Sequence, residues 1–287
     1  MANALPRAVA LVPTRNAESF VDATLRSLAA QTYPRFEVLV SDDASTDATA
    51  TICERFAAGD SRFRVLRQEH RLGWVGNTNA LLRAADGEYQ LFACHDDLLA
   101  PTYVACLVDE LERDSGAVLA FSDGEIVQLD GRVEGWSFTE LDGIHHRLER
   151  AVTIVRQPPG WAVPYHGLFR ASAAARIGGL RRHRAGEFGA DWPWLLRMSL
   201  RGGFVRVAER LFRKVCYPQG LARSWGSSAW GRLGVTLACV GEVHRAGLLP
   251  KEGIRLQAEL SRSCARFLLS VIRRRCSRGA RRFLTGG

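Results

Sequence analysis

The chain has 287 residues, 47% of them apolar, enough for one large domain or one domain with an appendage. No apolar run approaches the roughly eighteen residues of a spanning helix, which excludes an ordinary transmembrane segment. The net charge is +9, and from Arg262 onward eight arginines stand with no acid, so the tail calls for an anionic partner surface, a membrane or a polyanion.

The first hundred residues alternate strand and helix. Residues 8–12 are a continuous apolar run, as expected of a strand buried on both faces. Residues 19–30 predict a helix with Ser19 and Asp22 as a capping box and Phe20, Val21, Leu25 and Leu28 as its apolar stripe. Residues 36–40 form a second strand, and Ser45 is placed to cap a helix carrying Ala48, Ile52 and Phe56 on one face. A short strand over 63–66, a helix over 77–85 and a strand over 89–94 follow. This spacing predicts right-handed crossovers and a mostly parallel sheet.

Further on, a helix is expected over 101–113, with Val104, Leu107, Val108 and Leu111 inward, then a strand over 117–121. Residues 130–165 lack a clear period and read as loops and short strands covering a site. Helices over 171–177 and 191–200 and strands over 204–207 and 211–215 complete the first part. After Ser224 the texture becomes helical, over 225–247 and 251–283, with a break at Leu249-Pro250. The expected division is therefore residues 1–224 as one domain, split into a 1–100 half and a 101–224 half, with a basic helical extension over 225–287. The seven cysteines, at 53, 94, 106, 216, 239, 264 and 276, are odd in number and form no Cys-x-x-Cys, so free thiols in a reducing, cytoplasmic compartment are expected. The N-terminus runs directly into the first strand and is expected to carry no signal peptide. Lysine occurs only as Lys214 and Lys251; arginine replaces it chain-wide, a bias of coding more than of any one site.

The strand ends carry the chemistry. Pro13-Thr14-Arg15-Asn16, Asp42-Asp43-Ala44-Ser45 and His95-Asp96-Asp97 end three strands, and in an open parallel sheet these ends share one edge, where ligands bind. Two adjacent carboxylates at 96 and 97 repel each other unless a cation lies near. No Gly-x-Gly-x-x-Gly follows the first strand and no Gly-x-x-x-x-Gly-Lys occurs, which argues against a dinucleotide fold and a P-loop.

An ordered set of motifs over about the first 225 residues resembles the family 2 glycosyltransferases, with their GT-A fold. The set comprises Val12 to Asn16, Gln31-Thr32-Tyr33-Pro34-Arg35-Phe36-Glu37-Val38, Ser41 to Asp47, Gly73 with Asn79, Ala84 to Tyr89, and His95-Asp96-Asp97 at the place of an Asp-x-Asp-like metal motif. Three positions depart from the pattern: His95 stands where an acid is common, Ala190-Asp191 where a Glu-Asp pair is frequent, and Thr78 where a basic residue often precedes Asn79.

The resemblance implies an α/β, Rossmann-like sheet and an inverting, metal-dependent transfer from a nucleotide-sugar. Asp97 would be the direct ligand of Mg2+ or Mn2+, which prefer oxygen donors, and Asp96 a partner of the ribose or donor sugar. Pro13, Thr14, Asn16, Glu18, Asp43 and Asn79 would lie on the donor side. Plainer readings stand beside these: Asp42 and Asp43 as helix caps, and Glu18 as a first-turn glutamate. Asp191, matching the family's base by position, is the candidate general base, with simple N-capping as its alternative and Glu187 in reserve. Arg213, with Lys214 and Arg223, follows the last core strand and is expected either to reach the diphosphate or, as is commoner in so arginine-rich a chain, to be a surface charge. His166 is expected to line the pocket or to be structural, and Trp161, Trp192 and Trp194 to stack on sugars or fill the core.

The expected function is sugar transfer to a hydroxyl of a glycan or lipid-linked acceptor in polysaccharide or glycolipid synthesis. Two other readings are an inactive sugar-nucleotide or glycan-binding module of the same fold, and a membrane-associated partner in a glycan assembly complex. The C-terminal arginines are expected to contact an anionic membrane peripherally, on the cytoplasmic face, or simply to be solvated. Nothing resembles a nucleic-acid module.

Overall fold

The computed structural model describes residues 5–217 and 229–284, with side chains to residue 270. β1 (Ala8–Thr14) is buried along its whole length, as its unbroken apolar run requires. It pairs in parallel with β2 (Phe36–Asp42) and with β4 (Tyr89–Phe92), and β2 pairs in parallel with β3 (Phe63–Arg67). Helices α1 (Val21–Ala29), α2 (Thr49–Gly59) and α3 (Gly73–Ala84) make the crossovers. This half is wholly parallel, in the order β3-β2-β1-β4, so the carboxyl ends of β1, β2 and β4 share one edge.

The remainder of the sheet is mixed. After the three-residue strand β5 (Asp97–Leu99) comes α4 (Tyr103–Arg113), whose Val104, Leu107, Val108 and Leu111 are all buried, each worth about 1.5–3 kcal/mol. β6 (Ala117–Val127) pairs in antiparallel fashion with β7 (Val133–Trp136) and β8 (Leu168–Arg170), and in parallel with β9 (Gly203–Val215). β5 lies antiparallel on the far side of β9, and β8 joins this half to β4. Helices α5 (Arg147–Arg156), α6 (Ala171–Ile177) and α7 (Asp191–Ser199) pack around it. Two last helices, α8 (Ala229–Arg245) and α9 (Pro250–Leu284), place Val235, Cys239, Val243, Leu256 and Leu260 in the same buried cluster as the strands. No helix among the described residues is long and apolar enough to cross a membrane.

Local structure departs from the sequence expectation at several points. The Ser19–Asp22 capping box does not form: α1 starts at Val21, whose N–H bonds the Ala17 carbonyl, and Asp22 instead pairs with Arg26 and Arg55. Ser45 does not cap α2; its hydroxyl donates to Asp42, while Asp47 and Glu18 accept from Thr49 N and Ala48 N. The region expected to be loops contains α5, with Leu148, Ala151, Val152 and Val155 buried on one face. The two strands expected over 204–215 are one, β9, bent where its register against β6 shifts around Asp123. Arg223 and the side chains of the last arginines, from Arg273 on, lie outside the described residues.

Candidate active site

The edge where the strands end is assembled mainly by carboxylates that bind backbone. Asp43 N donates to the Thr14 carbonyl at 2.9 Å, tying the ends of β1 and β2 together. Asp42 folds back onto Ser45 N at 3.1 Å. Asn16 adopts φ 44°, and its Oδ1 accepts from Thr46 N at 3.0 Å, while Glu18 accepts from Ala48 N at 2.9 Å. Both residues therefore hold the β1 and β2 loops to each other. The Thr14 hydroxyl is buried with no partner among the described residues, an acceptor and donor left over at the end of β1.

α3 begins a turn earlier than its apolar pattern indicates, at Gly73, because two distant carboxylates satisfy its first amides. Asp43 accepts from Leu72 N at 2.5 Å and Gly73 N at 3.0 Å. Glu187 accepts from Trp74 N at 2.9 Å and Val75 N at 3.3 Å. These four groups would otherwise be unpaired, and the two charges also suit the positive end of the helix dipole. Arg182 Nε holds Glu187 at 2.7 Å. Glu187, the reserve candidate for the base, is thus bound into a helix cap, and Asp43 has both oxygens on backbone. Glu187→Ala is expected to destabilise the fold by about 2 kcal/mol, read as a lower urea midpoint with unchanged slope.

Asp97 is the centre of the site. Its side chain is 2% exposed. Its backbone N–H bonds Cys94 O at 3.0 Å, and as the first residue of β5 it pairs with Lys214 of β9. Asp97 Oδ2 lies 2.7 Å from His166 Nδ1, and Oδ1 lies 3.4 Å from Lys214 Nζ. The same ammonium is 3.1 Å from Asp96 Oδ2. Burial alone would push the Asp97 carboxyl up; the charges of Lys214 and His166 outweigh it and hold the group below the ordinary aspartate range. Burial likewise opposes charge on Lys214, but Asp97 and Asp96 prevail and raise its affinity for its proton. Asp97 and Lys214 are therefore both ionised throughout the neutral range.

His166 is fixed from three sides. Its ring stacks on Phe212 at 5.2 Å and meets the edge of Trp136 at 5.3 Å, and the Tyr103 hydroxyl donates to its carbonyl. Gly124 of β6 makes room for this stack, since a Cβ there would lie 2.4 Å from the Phe212 ring. His95 is turned away from the carboxylates: its Nδ1 donates to the Pro13 carbonyl at 3.0 Å, and its ring lies 5.1 Å from that of Phe20. It braces the loop after β4 against the end of β1.

Asp191 opens α7, and its Oδ1 accepts from Trp192 N at 3.0 Å. Burial raises its pKa above the ordinary value, against the pull of that N–H and of the His166 and Lys214 charges. Trp192 and Trp194 of α7 are core residues, 1% and 0% exposed.

Two expected donor-side residues lie elsewhere. Arg213 projects from the other face of β9 and pairs with Glu125 at 2.9 Å, because alternate strand residues point to opposite faces. It is Lys214, on the same face as Phe212, that reaches the carboxylates; strand parity was the available signal. Asn79 clamps the backbone of Leu180, accepting at 2.8 Å and donating at 2.9 Å, and lines a cleft of about 690 Å³ that contains none of the site carboxylates.

The donor set suits a hard divalent cation. Asp96 and Asp97 already converge on one positive charge, that of Lys214, and carboxylate oxygens are the ligands such ions prefer. Cys94, Asp97 and His166 also bring ligand atoms within 4.8 Å of one another, but burial pushes the Cys94 thiol well up and keeps it neutral.

Residues 9–159 match the family model described as Glycosyl transferase family 2. Among curated relatives, the poly(ribitol-phosphate) beta-N-acetylglucosaminyltransferase TarS of Staphylococcus aureus is 36% identical over 110 residues, 36% of this chain and 19% of its own. The Escherichia coli UDP-Glc:alpha-D-GlcNAc-diphosphoundecaprenol beta-1,3-glucosyltransferase WfgD is 36% identical over 88 residues, 31% of this chain and 34% of its own. The chain thus spans about a fifth to a third of the length of these relatives. Among solved structures, TarS in complex with UDP-GlcNAc superposes with a TM-score of 0.71 at 20% identity, covering 90% of this chain and 72% of that one. A Pyrobaculum calidifontis mannosyltransferase in complex with GDP-Man and Mn2+ gives 0.56 at 18% identity, covering 94% and 80%. At these identities the likeness is one of fold.

Proposed function

The chain belongs to glycosyl transferase family 2, and from that premise we propose that it transfers a sugar from a nucleotide-sugar donor to a hydroxyl acceptor, with inversion at the anomeric carbon. The architecture is the GT-A fold of TarS. The observation that carries the reading is the Asp96–Asp97–Lys214 cluster, two carboxylates converging on one ammonium; beside it the reading takes a second kind of carboxylate, Asp191 at the start of α7, whose affinity for a proton is raised. One set suits a diphosphate and its counter-charge; the other suits a proton acceptor.

In the transfer, the acceptor oxygen attacks the anomeric carbon and its proton passes to the Asp191 carboxylate. The bond from that carbon to the diphosphate breaks, and its electron pair leaves with the nucleoside diphosphate. Lys214 supplies positive charge beside the leaving group, and His166 keeps Asp97 oriented. Mg2+ or Mn2+, held by Asp97 with Asp96, would act as a Lewis acid on the two phosphates. In this reading the Thr14 hydroxyl, unpartnered among the described residues at the end of β1, and the backbone at Pro13 meet the nucleoside. The relatives' names, a ribitol-phosphate polymer for one and a diphosphoundecaprenol-linked sugar for another, support a glycan or lipid-linked acceptor.

The purified protein with Mn2+ and a panel of sugar nucleotides is expected to release nucleoside diphosphate, and Asp97→Asn to abolish release. If no donor is turned over and Asp97→Asn binds nucleotide as the parent does, the fold serves as a binding module and the enzyme reading fails. The pH dependence follows from Asp191. Its raised pKa means that the base is lost as pH falls through a value above the ordinary 3.8, so the acid limb of kcat/KM is expected above that figure. A limb at or below it would remove Asp191 from this role; Asp97, held low, cannot produce the higher limb.

A further inference from the structure

The last two helices present an outward face that the transfer reaction does not use. On α8, Trp230, Leu233 and Leu237 are 66%, 39% and 54% exposed and recur at helical spacing on one side. Val240 and His244 continue the stripe, so over four turns it carries no formally charged side chain. The opposite side, with Val235, Cys239 and Val243, is buried in the core. α9 runs back alongside, with Gln257 Nε2 3.3 Å from His244 Nε2. Its outward positions include Ile254 and Leu269, 67% and 55% exposed, with Ser261 and Ala265 between them and, among the described residues, no charge on that line.

Arginines stand beside this face. Arg181, Arg182 and Arg184 border a cleft of about 540 Å³ that they share with Leu237, Gly241 and Glu242 of α8, the last paired with Arg181. On α9, Arg255 and Arg262 adjoin Ile254 and Ser261 in sequence, pair with Glu149 and Glu259, and remain 45% and 67% exposed.

We propose that the outward face of α8 and α9 docks on the surface of an anionic lipid bilayer. An uncharged stripe with a tryptophan at one end and aliphatic side chains along it, flanked by arginines, is the pattern of a helix that lies in the plane of the membrane interface. The arginines meet anionic headgroups while the stripe enters the acyl boundary. A second copy of the chain is disfavoured as the occupant, because a two-fold contact through this face would bring arginine rims together in a protein of net charge +9. The buried side of α8 adjoins the segment before α7: a Cβ on Gly189, two residues before Asp191, would lie 3.4 Å from Val235. The bilayer would then lie one helix away from the base. The part of the inference that concerns a lipid-borne acceptor rests on the proposed transfer; the docking itself does not.

The test is flotation of the full chain with vesicles of phosphatidylcholine alone and with about a third phosphatidylglycerol. Flotation is expected only with the anionic vesicles, falling about tenfold or more in Trp230→Ser/Leu237→Ser, with nucleoside diphosphate affinity and thermal midpoint near those of the parent. Neutralising the tail in Arg273→Ser/Arg274→Ser/Arg275→Ser is expected to leave most of the binding. The inference is overturned if the helix-face variant floats like the parent, if only the tail variant loses binding, or if light scattering shows a parent dimer that Trp230→Ser dissociates. Because nucleotide affinity is read separately, loss of sugar transfer and loss of docking remain distinguishable.

Discussion

Replacing Asp191 with asparagine is expected to lower kcat by about 10²- to 10⁴-fold, the usual contribution of a positioned general base, while nucleoside diphosphate affinity stays within about twofold of the parent. Asparagine keeps the Oδ1 that accepts from Trp192 N at 3.0 Å, so the start of α7 is preserved and only the proton acceptor is lost. This separates the two roles the residue could have. A helix cap alone would survive the substitution with near-parental turnover, whereas Asp191→Ala would then cost stability of about 1 kcal/mol with no special effect on rate. Titration calorimetry with UDP and a product-release assay on the same preparation give both readings. Retention of kcat in Asp191→Asn would remove the base assignment.

The parallel half of the sheet was legible because each of its strands is a short apolar run ending in polar residues. That the ends of β1 and β2, with Thr14 and Asp43, share one edge with the end of β4 followed from topology alone; Asp97, expected at the end of β4, instead opens the separate strand β5. What each carboxylate binds did not follow, because its partners are remote. Asp43 meets amides 29 and 30 residues away, and Glu187 meets amides 113 and 112 residues away. No local pattern announces such a cap, so the start of α3 was placed a turn late. α5 was missed for a different reason. Its stripe is interleaved with Arg147, Glu149, Arg150 and Arg156, yet Arg150 is only 3% exposed and donates to Ser199 O at 2.8 Å, closing the end of α7. In a chain so rich in arginine, a buried structural arginine and a solvated one look the same in sequence. Strand parity puts Arg213 and Lys214 on opposite faces of β9, but which face meets Asp97 turns on the register of the three-residue strand β5 against β9, which sequence does not specify.

Lys214→Met is expected to destabilise the apo protein by about 3 kcal/mol and to make its stability respond to Mn2+. Among the described residues, the ammonium is the one cation paired with both Asp96 and Asp97. Removing it leaves two adjacent carboxylates, one of them 2% exposed, without their shared counter-charge, and an uncompensated buried charge costs more than the pair contributed. A divalent cation can restore the balance through the same oxygens, and a ligand present at about a hundred times its Kd returns about 2.7 kcal/mol. The thermal midpoint of the variant should therefore rise several degrees with Mn2+, while that of the parent, whose carboxylates already hold a cation, should move little without nucleotide. The same competition is expected to make nucleotide and metal binding mutually dependent in the parent. A diphosphate offers Lys214 another anion, and as the ammonium shifts toward it the carboxylates become free to ligate. In calorimetry, Mn2+ binding to the parent should be weak alone and strengthened by UDP, and in Lys214→Met it should be strong without UDP. A variant as stable as the parent and indifferent to Mn2+ would show that the lysine is only a neighbour of the site.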